Sequence, residues 1–424
     1  MNIIKIKIEP LLLVLSIIIQ IEVNSFEIKS VMLVLILAFF FILNKGRVFK
    51  NDFELLSLLI LIILIGVVSA IFNSPVAYDF LKDLLYFSKP IILILLGYFI
   101  AKRINNWKVL FKTLIYLGVT YAGYHILHVL FFTDLTNTTV SQIRGINGLS
   151  NIIEAFAIAF ITLSYKYPSF NVISKNSTKR LFLILLITSF ILYFSRTMLV
   201  GLVILILGVL NYIKLNRKGL KYGFIIFLTI GSLYTYLYNT NIDRKGDAIE
   251  SFLYKLKIAP EEIFSPKLDI KNKASLWDHW RAYEAYSAFV GLNESPYSYP
   301  FGKGFGALID LKFVAPLGGE KGMRYIPILH NGYVFILYKT GIIGFLLYVT
   351  FLFYLYFQSY IRTKCIENQV FRNILAALGL YIIFSSLIIT GLYNLEEVTP
   401  LILGVFIFLT TNSKIADENR DCRN

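Results

Sequence analysis

Apolar runs recur from one end of the 424-residue chain to the other, and nothing else in the sequence constrains the fold as strongly. Each run is about 15–20 residues long, close to the helix length that crosses a hydrocarbon core about 30 Å thick. The runs are continuous and rich in Leu and Ile rather than alternating, so they read as helices and not as barrel strands. Twelve are expected, at about 9–23, 30–44, 54–72, 84–101, 109–131, 149–165, 181–194, 197–213, 222–239, 329–360, 372–391 and 398–412. The tenth contains Gly341 and Gly344, which suggests a short helix, a break and then a full span. Composition agrees: 57% of residues are apolar and 16% charged, against roughly a quarter charged in soluble proteins. The expected class is an all-α polytopic membrane protein with about 12 transmembrane helices, a single membrane domain over 1–424.

The formal net charge is +15. A basic balance can point to nucleic acid, to an anionic substrate or to membrane topology, and position decides among them. With the N-terminus in the cytoplasm, 23 of the 41 Lys and Arg residues fall in the cytoplasmic tails and loops. The short loops on the other side hold only Lys29, Lys82, Arg144 and Arg196. That asymmetry is the positive-inside pattern of a membrane protein with both termini cytoplasmic, and it leaves no need for nucleic acid. No small-x-small cleavage site follows the first run, so no removable signal peptide is expected. The two cysteines imply no disulfide framework.

Residues 240–328, between the ninth and tenth runs, carry 12 basic and 11 acidic residues and read as one large extracytoplasmic cap loop. Within it, Ser275 to Val290 is expected to be helical, with Ser275 and Asp278 at capping-box spacing. Trp277, Trp280, Tyr283 and Tyr286 recur every three residues. Such a stripe packs a core or a membrane surface, or forms a platform for sugar rings. Gly302, Gly304 and Gly306 mark either tight turns or a backbone able to approach an anion closely.

Charged groups at membrane depth are costly and often functional. From Arg180 to Arg196 the chain spans roughly 24 Å of helix at 1.5 Å per residue, so this hairpin turns below the outer surface. Ser195 is placed to cap the next helix, and Arg196 at a helix N-terminus opposes the macrodipole unless an anion sits there. That favours a bound phosphate or carboxylate; the alternative is an Arg snorkelling to headgroups. Arg144 precedes the sixth run and pairs either with an anion or with Glu154. Lys89, before Pro90 in the fourth run, leans outward, pairs with a carboxylate or meets a diphosphate. His330 opens an apolar helix, where the dipole favours a neutral ring, and a neutral imidazole can act as a general base; a helix cap or headgroup contact is the plainer role. There is no Walker A sequence, CxxC, HExxH or Asp-x-Asp pair, so no cofactor or metal is expected.

At these residues the chain resembles the O-antigen polymerase and O-antigen ligase superfamily. The match rests on Leu329-His330-Asn331-Gly332-Tyr333-Val334 followed by Gly341-Ile342-Ile343-Gly344, on Ser195-Arg196, on Arg144-Gly145 with Asn147-Gly148 and Asn151, and on Trp280-Arg281 with Gly302, Gly304 and Gly306. Lys339-Thr340 departs from the family, which often has an acidic residue before the first of the paired glycines. The resemblance implies a GT-C-like membrane glycosyltransferase that needs no metal. Its donor would be an undecaprenyl-diphosphate-linked oligosaccharide at the outer face of the membrane. Arg196, Arg144, Arg281, Lys89 and Asn331 would bind diphosphate or glycan, and His330 with Arg196 would be catalytic. For Arg281 a surface ion pair with Glu284 is the plainer role. Membrane lipid and a chain-length regulator protein are the implied partners. A polymerase is the first reading, an O-antigen ligase acting on lipid A-core or protein the second, and a polysaccharide flippase or transporter the third.

Overall fold

The computed structural model describes residues 8–43, 45, 50–132, 151–244, 248–265, 269, 271–317 and 322–419. Each of the twelve apolar runs overlaps a helix. In chain order these are α1 Ile8–Glu22, α2 Phe26–Leu43, α3 Lys50–Asn73, α4 Ala77–Ile104, α5 Trp107–Phe132, α6 Asn151–Lys166, α7 Asn176–Leu192, α8 Arg196–Val209 and α9 Arg217–Asn239, and, beyond the 240–328 segment, α15 Gly332–Phe357, α16 Ile366–Ser385 and α17 Thr399–Asn419. Among the described residues six helical stretches are long and apolar enough to cross a membrane: Phe26–Leu43, Leu55–Asn73, Ala77–Ile104, Trp107–Phe132, Arg217–Asn239 and Gly332–Tyr360. Their outer faces carry exposed apolar side chains such as Ile42, Phe72, Phe131 and Phe227. In water such a surface would drive aggregation; against lipid it costs nothing.

The core is built on close helix contacts. Without a hydrophobic drive between helices in lipid, small residues let backbones approach and gain van der Waals contact. Gly97 of α4 faces the Leu401 carbonyl of α17, and Gly404 of α17 faces the Ile94 carbonyl of α4, so a methyl at either position would collide with main chain. Gly118 of α5 meets Ala157 of α6 in the same way, and Gly208 of α8 meets Ala377 of α16. Helix α6 is buried on nearly every side from Asn151 to Ile161.

The 240–328 segment folds into five short helices and one hairpin: α10 Ala248–Lys257, α11 Ala259–Phe264, α12 Lys273–Asp278, α13 Trp280–Leu292, α14 Ser298–Phe301, β1 Ile309–Ala315 and β2 Met323–Ile326. The strands are antiparallel, with Ile309 opposite Ile326 and a register shift between Asp310 and Ala315. The single helix expected over 275–290 is two helices, interrupted at His279 (φ −116°, ψ 11°). The cap is Asn272, which accepts from Ala274 N–H at 3.0 Å. Asp278 instead accepts from Arg244 at 2.9 Å and from the Tyr254 hydroxyl at 3.2 Å. The aromatic stripe divides as well. Trp280 is buried, and it and Tyr283 lie 6.5 and 5.8 Å from the Phe313 ring, while Trp277 and Tyr286 are exposed.

Helix α15 breaks where expected, at Gly341 (φ 67°, ψ −170°). The break deprives the carbonyls of Tyr338 and Lys339 of their helical partners. Lys303 N–H and Gly304 N–H donate to them instead, at 2.7 and 3.0 Å, and Phe305 N–H donates to the Gly66 carbonyl of α3 at 3.0 Å. Gly302 and Gly304 have φ of 78° and 80°, and a Cβ on either would strike the main chain of α15 or α3. The glycine cluster therefore serves close docking of the segment onto the membrane helices. Lys339 is fully buried and pairs with Asp83 of α4 at 2.5 Å. Asp83 also accepts from Gly306 N–H at 2.6 Å, and Lys339 donates to the Ala307 carbonyl at 2.6 Å.

Candidate active site

A cavity of about 770 Å³ lies where the 240–328 segment meets the helix ends. That is the size of an ordinary small-molecule site. It is lined from α6 by Asn151, from the start of α8 by Ser195 and Thr197, from the start of α13 by Arg281, and from the approach to α15 by His330. The segment Thr390 to Glu397, which leads into α17, closes it. Residues at the starts of α6, α8 and α13 and just before α15 therefore line one space, and the positive dipole end of a helix start favours an anion.

His330 is half-exposed, and its ring is anchored on one side. Nδ1 lies 2.9 Å from Glu284 Oε2, and the His330 backbone N–H donates to the same oxygen at 3.0 Å. Glu284 is 2% exposed, and its other oxygen accepts from Trp280 Nε1 at 2.5 Å. A carboxylate only accepts, so Nδ1 carries the hydrogen and Nε2 is the nitrogen left for the cavity. The chain around His330 is fixed from behind: Thr390 N–H donates to the His330 carbonyl at 2.6 Å, and Gly332 N–H to the Ser386 carbonyl at 2.7 Å.

Arg196 stands at the first position of α8, as the sequence suggests, and an anion does sit there. It is the carboxylate of Glu262 on α11, which Arg196 Nη2 contacts at 3.1 and 3.2 Å. Arg281 Nη1 donates to the same carboxylate at 2.9 Å. Arg196 also donates to the Lys255 carbonyl. Ser195 is the N-cap residue but makes no side-chain capping bond. The pair expected between Arg281 and Glu284 is replaced by Arg281 with Glu262.

Lys89 does not line the cavity. It is 4% exposed and donates to the Leu395 carbonyl, with the Phe26 ring 5.6 Å away. Gln20 Nε2 donates to the Leu395 and Glu397 carbonyls at 2.9 and 3.2 Å. The two side chains hold the cavity wall from behind. Asn331 caps α15, accepting from Val334 N–H at 3.2 Å, so its side-chain oxygen is committed to the helix. Arg144 lies outside the described residues. Glu154 is buried and accepts from the Tyr193 hydroxyl at 3.0 Å. Among the described residues no group of three or more His, Cys, Asp and Glu side chains is arranged to hold a metal ion.

Residues 181–349 match the family model described as O-Antigen ligase. The match supports the resemblance of this stretch to the O-antigen ligase/polymerase superfamily. The matched stretch runs from within α7 to within α15, so it contains Arg196, Glu262, Arg281, Glu284 and His330. No curated protein matches the chain at a significant level.

Sequence reasoning missed three parts of this cavity: Glu284 as partner of His330, Glu262 as partner of both arginines, and the Asn394–Glu397 wall. The first had a readable signal, since Trp280 and Glu284 are four residues apart on one helix face. The third had one as well. Glu396 and Glu397 stand between the last two apolar runs, where the rule that singled out Arg196 applies equally. Glu262 carries no such signal; only the fold of the 240–328 segment brings it to α8.

Proposed function

We propose that this protein is a membrane glycosyltransferase of GT-C type. It would transfer a growing glycan from undecaprenyl diphosphate to the next lipid-linked repeat unit at the outer face of the bacterial plasma membrane, with twelve spans and both termini in the cytoplasm. The observation that carries the reading is the convergence of Arg281 and His330 on one cavity lined by helix N-termini, within the stretch that matches the O-antigen ligase family. A diphosphate leaving group gains charge as the glycosidic bond breaks. Guanidinium groups and helix N-termini aimed at that charge lower the barrier, and one such donor is worth roughly 10²–10³ in rate. Arg281 supplies the guanidinium group at the cavity, and Arg196 lies beside it on the shared Glu262 carboxylate. His330 takes the proton of the acceptor hydroxyl as its oxygen attacks the anomeric carbon. The electron pair of the breaking bond leaves with undecaprenyl diphosphate.

A polymerase and a ligase share this chemistry and differ in acceptor. The likeness to the O-antigen ligase family keeps the ligase, with lipid A-core or a protein as acceptor, as the second reading. Gene deletion separates them. Loss of a polymerase leaves surface glycan one repeat unit long, whereas loss of a ligase leaves full-length glycan on undecaprenyl diphosphate. A flippase would trap single units on the inner leaflet. In a purified assay with lipid-linked repeat units, Arg281→Ala is expected to lower turnover by about a hundredfold or more. Full activity of that variant would remove the proposed site.

A further inference from the structure

We propose that Glu284 is the positioning residue of the transfer reaction, holding His330 in the one tautomer and orientation that lets Nε2 take the acceptor's proton; this rests on the transferase reading above. Two polymer elements meet at this pair. Glu284 comes from α13 of the 240–328 segment, and His330 from the approach to α15. The contact is more than a chance ion pair. One carboxylate oxygen takes both the backbone N–H and the ring Nδ1 of His330, at 3.0 and 2.9 Å. The other is fixed by the Trp280 indole at 2.5 Å. A carboxylate buried to 2% exposure with three donors on it cannot turn, so it sets the ring plane as well as the tautomer. The half-exposed ring then faces a cavity that it shares with Arg281, Glu396 and Glu397.

The step balances simply. The acceptor oxygen forms the new bond to the anomeric carbon, its proton passes to Nε2, and the old carbon–oxygen bond breaks with its pair going to the diphosphate. The imidazolium that results is flanked by the Glu284 carboxylate, which stabilises the charge as it forms. Without that carboxylate the ring can adopt the other tautomer, in which Nε2 carries the hydrogen and cannot accept.

The test uses the full-length protein with undecaprenyl-diphosphate-linked repeat units. Glu284→Gln keeps size but offers one acceptor and one donor group where three donors converge. It is expected to lower kcat by about 10²–10⁴-fold while the KM for the lipid-linked donor stays within about threefold. Because a core substitution can also perturb folding, a second measurement is decisive. In a His330→Ala background, adding Glu284→Gln should lower kcat no further, since the carboxylate acts only through the ring. If the two losses multiply in the double variant, Glu284 is merely structural and the proposal is overturned; unchanged kcat in Glu284→Gln alone overturns it too. A wild-type protein that transfers nothing removes the transferase reading, and the dyad's role with it. An active wild type with an indifferent Glu284 removes the dyad alone.

Discussion

Replacing Lys339 by Met should destabilise the protein severely, although Met matches Lys in length and suits an apolar setting. The pair it breaks is wholly buried: Lys339 and Asp83 are 0% and 2% exposed at the side chain and 2.5 Å apart. Loss of the ammonium leaves Asp83 with the Gly306 N–H at 2.6 Å as its remaining hydrogen-bond donor, and leaves the Ala307 carbonyl without its Lys339 partner. Removing one member of a buried pair typically costs about 3–5 kcal/mol, because an uncompensated charge stays in a medium of low dielectric. At about 1.4 kcal/mol per tenfold, 3 kcal/mol lowers the folded-to-unfolded ratio more than a hundredfold. The assay is a heating series on detergent-solubilised protein, with the monodisperse fraction read by size exclusion. The companion variant Lys339→Met with Asp83→Leu removes both charges, and should recover most of the loss. A single variant as heat-stable as wild type, or a double variant worse than the single, would refute the reasoning that the penalty is the orphaned carboxylate.

Two further outcomes follow from contacts in the 240–328 segment. Glu262→Gln should strengthen binding of inorganic diphosphate by about tenfold, since Arg196 and Arg281 no longer hold an internal carboxylate and a charge-assisted hydrogen bond is worth roughly 1.5–3 kcal/mol; titration calorimetry showing weaker binding would mean that Glu262 chiefly orders the arginines. Asp310 has its carboxyl held below the usual range, first by its hydrogen bonds from Arg324 and then by the Lys312 backbone N–H and side chain. Its stabilising effect on the β1–β2 hairpin is therefore full above the usual carboxylate range and is lost as pH falls below it. Limited proteolysis at 309–326 should accelerate on acidification in wild type and already be fast at neutral pH in Asp310→Asn.

The helices were legible because their physics is local. A run of apolar residues long enough to cross a bilayer is one of the strongest signals a sequence carries, and the Gly341 break showed as a glycine pair inside such a run. Arg196 and His330 were readable for a related reason, since a charge beside an apolar run, or a polar residue at a helix start, is conspicuous; Arg281 was legible only through the family resemblance. What their partners would be was not. Glu262 and Glu284 are ordinary acidic residues in a segment of balanced charge, and long-range folding decides that one meets two arginines and the other a histidine. Lys89 shows the opposite failure. A lysine inside an apolar run looks like a ligand, but its ammonium is spent on the Leu395 carbonyl of the cavity wall. The helix over 275–290 failed for want of a local cue, since nothing in the sequence near His279 marks the interruption.

The docking of residues 302–305 has one more consequence. The groups that hold it are amide hydrogens of Lys303, Gly304 and Phe305 and carbonyls of Tyr338, Lys339 and Gly66, all of them main chain. An attachment written in backbone makes few demands on side-chain identity beyond the glycines that permit the approach and the Asp83–Lys339 pair that holds Gly306 and Ala307 beside it. The rest of the 240–328 segment can change its exposed residues without loosening its seat on the broken helix. On the transferase reading, one seat then suits many different sugar-facing surfaces.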